Sequence, residues 1–453
     1  MPNTQTTTER AAVEQFARDY FDHLAPYVRL ESVSAQHRGI QDTADWLQQT
    51  FRELGASYAT QWNEPGGNPA VFAQFKGASD HTILFYNHYD VQPPEPLAEW
   101  HSEPFEPTFL DDGTVRARGI GDDKGELMCR LTAVRYLQDH GGLPCNLKFV
   151  VEGEEEVGSG HFDDYVAHHA DDLAADVCVW EGGSKNEQEH FTVTGGVKGI
   201  LAFDLSVRTA DVDLHSSLGA YVDNAAWRLI DALHSLRTPE RRLAVDGYYD
   251  LVETMSAGTR AAVDRMDFDA DGLRERAGLR QPFLRDDPKL ASVNEPSLTV
   301  NGFESGYTGD GVKTVIPREA HAKLDCRLAQ GQTPQACFDL IRAQLDRNGF
   351  RDVEMTFQLG EDPFRSDLDD PYFAAATDVA KAVYGTDNVR VVPNSAGGGP
   401  QAPVAATLGL PIVSVGCGYY GSGAHAPNES LRVRDYQQGA WYMVELMRRM
   451  GAK

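Results

Sequence analysis

The stretch from Ile83 to Gly125 constrains this chain most. It reads ILFYNHYDVQ, then a long loop, then RGIGDDKG. Ile83 to Tyr86 is a continuous apolar run, the pattern of a strand buried on both faces of a helix-covered sheet. His88 and Asp90 follow, two apart, so on a strand both side chains point the same way. The carboxyl end of a strand is where open α/β sheets place their sites. A carboxylate that accepts the second ring N–H of a histidine is a common way to orient a metal ligand. Taken alone, the pair reads as ordinary polar residues at a strand end, and what lies downstream reverses that.

A segment with helical spacing at Leu127, Leu131, Val134 and Leu137 is followed by two more apolar runs, Asn146 to Val151 and Val177 to Trp180. Strands alternating with helices predict a doubly wound, mostly parallel α/β sheet. From about Gly199 the pattern changes. LAFDLSV, PSLTVNGF and HAKLDCRL alternate as strands, helices fit 224–236 and 334–347, and a last strand fits 353–359. Strand–helix–strand–strand–helix–strand predicts a small ferredoxin-like α+β sandwich inserted into the first domain. The α/β pattern returns at 371–384, 411–416 and 434–449. The expected layout is one domain over 1–198 and 361–453, interrupted by a second over 199–360. The Pro-rich loop at 91–107 fits no regular element, and 240–290 is charged and irregular.

A chain of 453 residues exceeds one simple core. No apolar stretch approaches the ~20 residues that cross a bilayer. The N-terminal MPNTQTTTERAAVEQF lacks the apolar core of a signal peptide, so a cytoplasmic protein without membrane contact is expected. The net charge of −27 argues against nucleic acid as a partner and reads first as a solvated acidic surface. The cysteines lack any C-x-x-C spacing and read as reduced, mostly buried thiols.

Metal-ligating residues stand where predicted strands end: His88, Asp122, Glu155–Glu156 and Glu181. His425 joins them from GCGYYGSGAHAPNES, after a late strand. In a doubly wound sheet these ends face one crevice. Histidine with carboxylate suits zinc, and manganese less selectively. Asp122 is placed to bridge two ions about 3.5–4 Å apart. Two divalent ions would be balanced by Asp122, Glu156, Glu181 and a bridging hydroxide. One carboxylate of EGEEEVGS is then left over to act as general base. The alternatives are a solvated acidic turn at EGEEEVGS, a helix cap at Asp122–Asp123 and a plain loop histidine at 425. Spacing alone leaves both readings open.

NHYDVQP, GIGDDKG, EGEEEVGS, a strand ending in Glu181 and the late GSGAHAPNE, in that order, resemble the co-catalytic zinc metallopeptidases. That family includes carnosinase, cytosolic non-specific dipeptidase, glutamate carboxypeptidase, aminoacylase-1 and the acetylornithine and succinyl-diaminopimelate deacylases. PSLTVNGFESGYTGDGVKTVIP and DLHSS resemble the lid of its dipeptidase branch. The resemblance implies two divalent ions, zinc first, with manganese or cobalt as substitutes. His88, Asp122 and Glu181 would hold one ion; Asp122, Glu156 and His425 would hold the other. Asp90 would support His88, Glu155 would be the base, and the Asp122–Asp123 peptide would be cis. His215 would cross a lid-mediated homodimer to stabilise the oxyanion. Arg327 and Asn301 would bind the substrate carboxylate beside the glycines around Gly398. Glu181, where carnosinase-like members have Asp, and the loop NSAGGGPQAP depart from the dipeptidase pattern. The implied activity is hydrolysis of dipeptides or short peptides by a metal-bridging hydroxide. The alternatives are N-acyl-amino-acid deacylation, glutamate-carboxypeptidase-like cleavage, or a non-catalytic metal-binding relative.

Overall fold

A computed structural model describes residues 4–452. The strands that build the main sheet are β1 (Tyr58–Trp62), β2 (Ala70–Phe75), β3 (Ser79–His88), β4 (Cys145–Glu152), β5 (Val177–Trp180) and β6 (Phe191–Thr194). The chain then enters a second sheet made of β7 (Gly199–Arg208), β8 (Thr299–Ser305), β9 (Glu319–Leu328) and β10 (Glu354–Glu361). It returns to the main sheet with β11 (Val389–Val392) and β12 (Ile412–Ser414).

The main sheet runs β1-β2-β4-β3-β5-β12-β6, with β11 alongside β6. β3 pairs in parallel with β4 and β5, and β12 continues in parallel beside β5, while β1 and β2 form an antiparallel edge. Ile83, Leu84, Phe85 and Tyr86 are all buried, as an apolar run in a covered parallel sheet requires. Each such side chain contributes about 1.5–3 kcal/mol. Helices α1 (Thr4–Tyr20), α2 (Ile40–Glu53) and α3 (Lys124–Asp139) pack here, with the late helix Val433–Gly451 lying across α1 and α3.

The second sheet has the order β8-β9-β7-β10 and is antiparallel throughout. Helices α4 (Ala225–Ser235) and α5 (Pro334–Arg347) cover one face, giving the expected ferredoxin-like arrangement. The segment 240–290 is more regular than its sequence implies. It holds helices Ala257–Arg265 and Ala270–Ala277, and Pro288–Asn294 begins near its end. They are short and lack a wide apolar stripe, so periodicity misses them. Their caps are plain in hindsight: Ser256, Asp269 and Asp287 each accept an N–H of the first turn. Among the described residues, no helix is long and apolar enough to cross a membrane.

Candidate metal centre

Because β3, β4, β5 and β12 run parallel, their carboxyl ends meet at one edge. His88 closes β3, and Glu181 follows β5. Glu154, Glu155 and Glu156 follow β4. Asp122 sits just ahead of α3, whose first turn carries Glu126 and, one turn on, Arg130 towards the same edge. The Arg130 guanidinium donates to the carbonyls of Tyr86 (2.6 Å), Trp180 (2.7 Å) and Val415 (3.3 Å), tying three strand ends together.

Two triads form. His88, Asp122 and Glu181 each offer a ligand atom within 4.8 Å of the others, and so do Asp122, Glu156 and His425. His88 Nε2 lies 3.0 Å from Asp122 Oδ1. His425 Nε2 lies 3.1 Å from Asp122 Oδ2 and 3.2 Å from Glu156 Oε2. Asp122 therefore faces both triads, one oxygen to each. The Asp122–Asp123 peptide is cis.

The charges match a cation site. Hydrogen bonds to Asp122 and Glu156 push the His425 imidazole up to about 10. Despite burial, Asp122 is held below the usual carboxylate range by His425 and His88. Burial, with Asp123 close by, pushes Glu181 well above it. The His425 and Asp122 shifts both mark a cluster of carboxylates that draws positive charge to this place. Neutral imidazole and carboxylate oxygen are the donors that zinc takes. The residues fit a pair of divalent ions.

The three consecutive glutamates divide by their partners. Glu154 accepts the Asn68 N–H (3.0 Å) and binds His161 (2.8 Å). Glu156 accepts from Gln92 (2.7 Å) and faces His425. Among the described residues, the Glu155 carboxylate has no hydrogen-bond partner. Burial, with Asp122, Glu156 and Asp90 adding and His88 opposing, pushes it up to about 8.

Asp90 does more than the sequence implies. It lies past the end of β3. The His88 Nδ1 contact at 3.0 Å is to the Asp90 carbonyl, with a carboxylate oxygen at 3.5 Å. The carboxylate accepts the N–H groups of Glu155 (3.2 Å) and Glu156 (3.1 Å), so it fixes the acidic turn against His88.

Glu429, in the quoted AHAPNE string but given no role there, is a central support. Fully buried, it accepts from Arg118 (2.8 Å) and from the N–H groups of Gly119 (2.9 Å), Gly121 (2.7 Å) and Asp122 (3.0 Å). Burial and Asp122 push its carboxyl up to about 7 against Arg118. Four donors on two oxygens leave no room for a proton, so the geometry holds the charged form. No local pattern identifies this role, since its donors lie some three hundred positions away in the chain.

The remaining candidates lie on or near the second sheet. His215 is exposed, and its Nδ1 accepts the Ser217 N–H at 3.1 Å. That leaves Nε2 as the N–H of the neutral ring. Arg327, near the end of β9, lies beside the glycine loop: a Cβ placed on Gly398 would be 3.7 Å from its Nη1 and 2.6 Å from Glu361 Oε2. Asp325, 4.0 Å away, is its nearest ion-pair partner, so the guanidinium is weakly engaged. Asn301 sits exposed at a bulge in edge strand β8. It is four residues along from Ser297, which pairs with Arg327, so roughly 13 Å separates them along the sheet. One chain does not bring the two together. A cavity of about 950 Å³ opens between the sheets, lined by Gly158–Gly160, Gln330–Thr333, Glu361 and Gly399.

Residues 84–449 match the model of peptidase family M20/M25/M40. The chain is 28% identical to mouse Beta-Ala-His dipeptidase over 79% of its length and 75% of that protein. It is 26% identical to the Cys-Gly metallodipeptidase dug1 of Schizosaccharomyces pombe over 93% of both. The M20 metallo-carboxypeptidase Sso-CP2 of Sulfolobus solfataricus superposes with a TM-score of 0.89 at 35% identity, covering 96% of this chain and 99% of that one. Human carnosine dipeptidase 1 shares the fold, with a TM-score of 0.81 at 23% identity and full coverage of both chains. The chain belongs to peptidase family M20/M25/M40 and is a dinuclear metallopeptidase of the exopeptidase or dipeptidase kind.

Proposed function

We propose that the enzyme hydrolyses dipeptides or short peptides at a free carboxyl end, with Glu155 as the general base. The observation that carries this reading is the unpartnered Glu155 carboxylate beside two triads that share Asp122. His88, Asp122 and Glu181 would hold one divalent ion and Asp122, Glu156 and His425 the other, with zinc the first candidate. When bound, the pair supplies Lewis-acid activation of water and of the scissile carbonyl. Glu155 takes the proton of the attacking water and returns it to the leaving amine. Its raised affinity for protons suits both halves of that transfer. Asp90 holds the Glu155 backbone in register with His88.

Arg327 binds the substrate carboxylate as a planar fork, and Gly398 lets the substrate backbone approach. His215 donates its Nε2–H to the tetrahedral oxygen in a neighbouring subunit's site. A dimer is supported by the second sheet. Trp227 (63% exposed) and Ile230 (39%) lie one turn apart on α4, and Val300 and Phe303 are exposed on edge strand β8. An unpaired edge beside an apolar helix face is a pairing surface. Asn301 shares that edge, so its part in substrate binding depends on the dimer, as that of His215 does.

The test is hydrolysis of three matched substrates by the metal-loaded enzyme: a free dipeptide, its N-acetyl form and its C-terminal amide. Cleavage of the free dipeptide alone is expected. Cleavage of the acetylated form with refusal of the amide would replace the dipeptidase reading with a carboxypeptidase or deacylase. That second reading is favoured by the 35% identity to a metallo-carboxypeptidase. Cleavage of the amide would remove Arg327 as anchor.

A further inference from the structure

The chain has a formal net charge of −27, yet one of its cavities gathers five cationic side chains among apolar and neutral ones. It encloses about 250 Å³ at the root of the second sheet. Lys198, Arg237, Arg241, Arg242 and Arg285 line it, with Glu295 as the single carboxylate. Glu295 is already divided between Arg242 (3.2 Å) and Arg285 (3.1 Å). Among the described residues, no carboxylate lies within 4.0 Å of the charged groups of Arg237, Arg241 or Lys198. The Lys198 ammonium donates, among the described residues, only to the carbonyls of Ala291 and Glu295.

Two of these side chains, Arg285 and Arg242, are held by further contacts. Arg241 adopts a left-handed φ of 62°, and its carbonyl accepts Arg285 Nη2 at 3.4 Å. Arg242 lies over the Tyr249 ring at 4.5 Å. Several guanidinium forks around one small cavity match the oxygens of a phosphate.

We propose that this cavity binds a small doubly charged oxyanion, either free phosphate or the phosphate of a phosphomonoester, and that the bound anion adjusts the substrate loop. Two links run to that loop. The Lys198 N–H donates to Gly397 O at 2.9 Å. Ser297, at the cavity wall, donates its N–H to Arg327 O at 3.0 Å and accepts the Arg327 N–H on its hydroxyl at 3.3 Å. The cavity is separate from the substrate's place. Leu243 lines it from the helix-covered core that holds Cys326 and Leu328, whereas Arg327, between those two on β9, points to the other face.

The metal-loaded enzyme is titrated calorimetrically with inorganic phosphate, glycerol phosphate and sulfate, at an ionic strength held constant with chloride. One saturable site per chain is expected. Arg237→Ala/Arg241→Ala, both exposed positions, should weaken it about tenfold or more through loss of charge-assisted hydrogen bonds. Tighter binding of glycerol phosphate identifies a phosphomonoester as the ligand, and the reverse order identifies free phosphate. Saturating sulfate should shift the KM for a peptide substrate at least about twofold in the parent and not in the double variant. No saturable site, or equal affinity in the double variant, which retains the whole metal centre, overturns the proposal. Binding without any KM shift overturns the link to the loop.

Discussion

Replacing Glu429 with Gln tests how the Asp122 turn is held. The carboxylate accepts four donors and is the counter-ion of Arg118, which is also buried. Gln keeps the shape but turns an NH2 towards groups that can only donate. Breaking a buried ion pair from one side costs about 3–5 kcal/mol. Each backbone N–H left without an acceptor adds about 1–3 kcal/mol before relaxation. Taking the lower bound, Glu429→Gln should lose about 3 kcal/mol, more than a hundredfold in the folding equilibrium. Arg118→Met should lose less, because three N–H groups still hold the carboxylate. Urea unfolding followed by tryptophan fluorescence measures both. Because the Asp122 N–H is one of the four donors, metal affinity of Glu429→Gln should also fall, by about 10–100-fold. An unchanged urea midpoint together with unchanged metal affinity would refute the role assigned to Glu429.

Four further outcomes are expected. Glu155→Ala should keep its metal and assembly and lose turnover by about 10²–10⁴-fold; hydrolysis at the parental rate would exclude Glu155 as base. Mixing inactive His215→Ala with inactive Glu155→Ala should restore about a quarter of parental turnover through exchanged dimers, and no recovery under proven subunit exchange would place His215 outside the neighbouring site. Trp227→Asp/Ile230→Asp should shift the sedimentation coefficient from dimer to monomer, whereas an unchanged coefficient would exclude α4 as the interface. Removing the ions by dialysis against a chelator should abolish turnover and lower thermal stability. At a hundred times Kd each bound ion contributes about 2.7 kcal/mol, so an unshifted melting curve would count against a bound metal.

Much of this molecule follows from short-range pattern. Ile83–Tyr86 and Val177–Trp180 are apolar without alternation, so they must lie in a sheet covered on both sides. LAFDLSV and HAKLDCRL alternate, so they must have one open face, and β7 and β9 do. The strand-end positions of His88, Glu155, Glu156 and Glu181 follow from that order alone, because parallel strands bring their carboxyl ends to one edge, whereas Asp122 stands ahead of α3, after a short strand (Thr114–Arg116) of a separate antiparallel sheet. Other features required the folded chain. The sequence makes Glu154, Glu155 and Glu156 neighbours of one charge. Asn68, Gln92 and His425, distant in the chain, together with His161, seven residues on from Glu154, engage two of them and leave Glu155 free. The support of Asp122 by Glu429, the clamp of three strand ends by Arg130 and the separation of Asn301 from Arg327 are likewise tertiary. Periodicity reports which face of an element is buried. Which distant donor meets a buried carboxylate depends on the closure of the chain, and no local spacing encodes it.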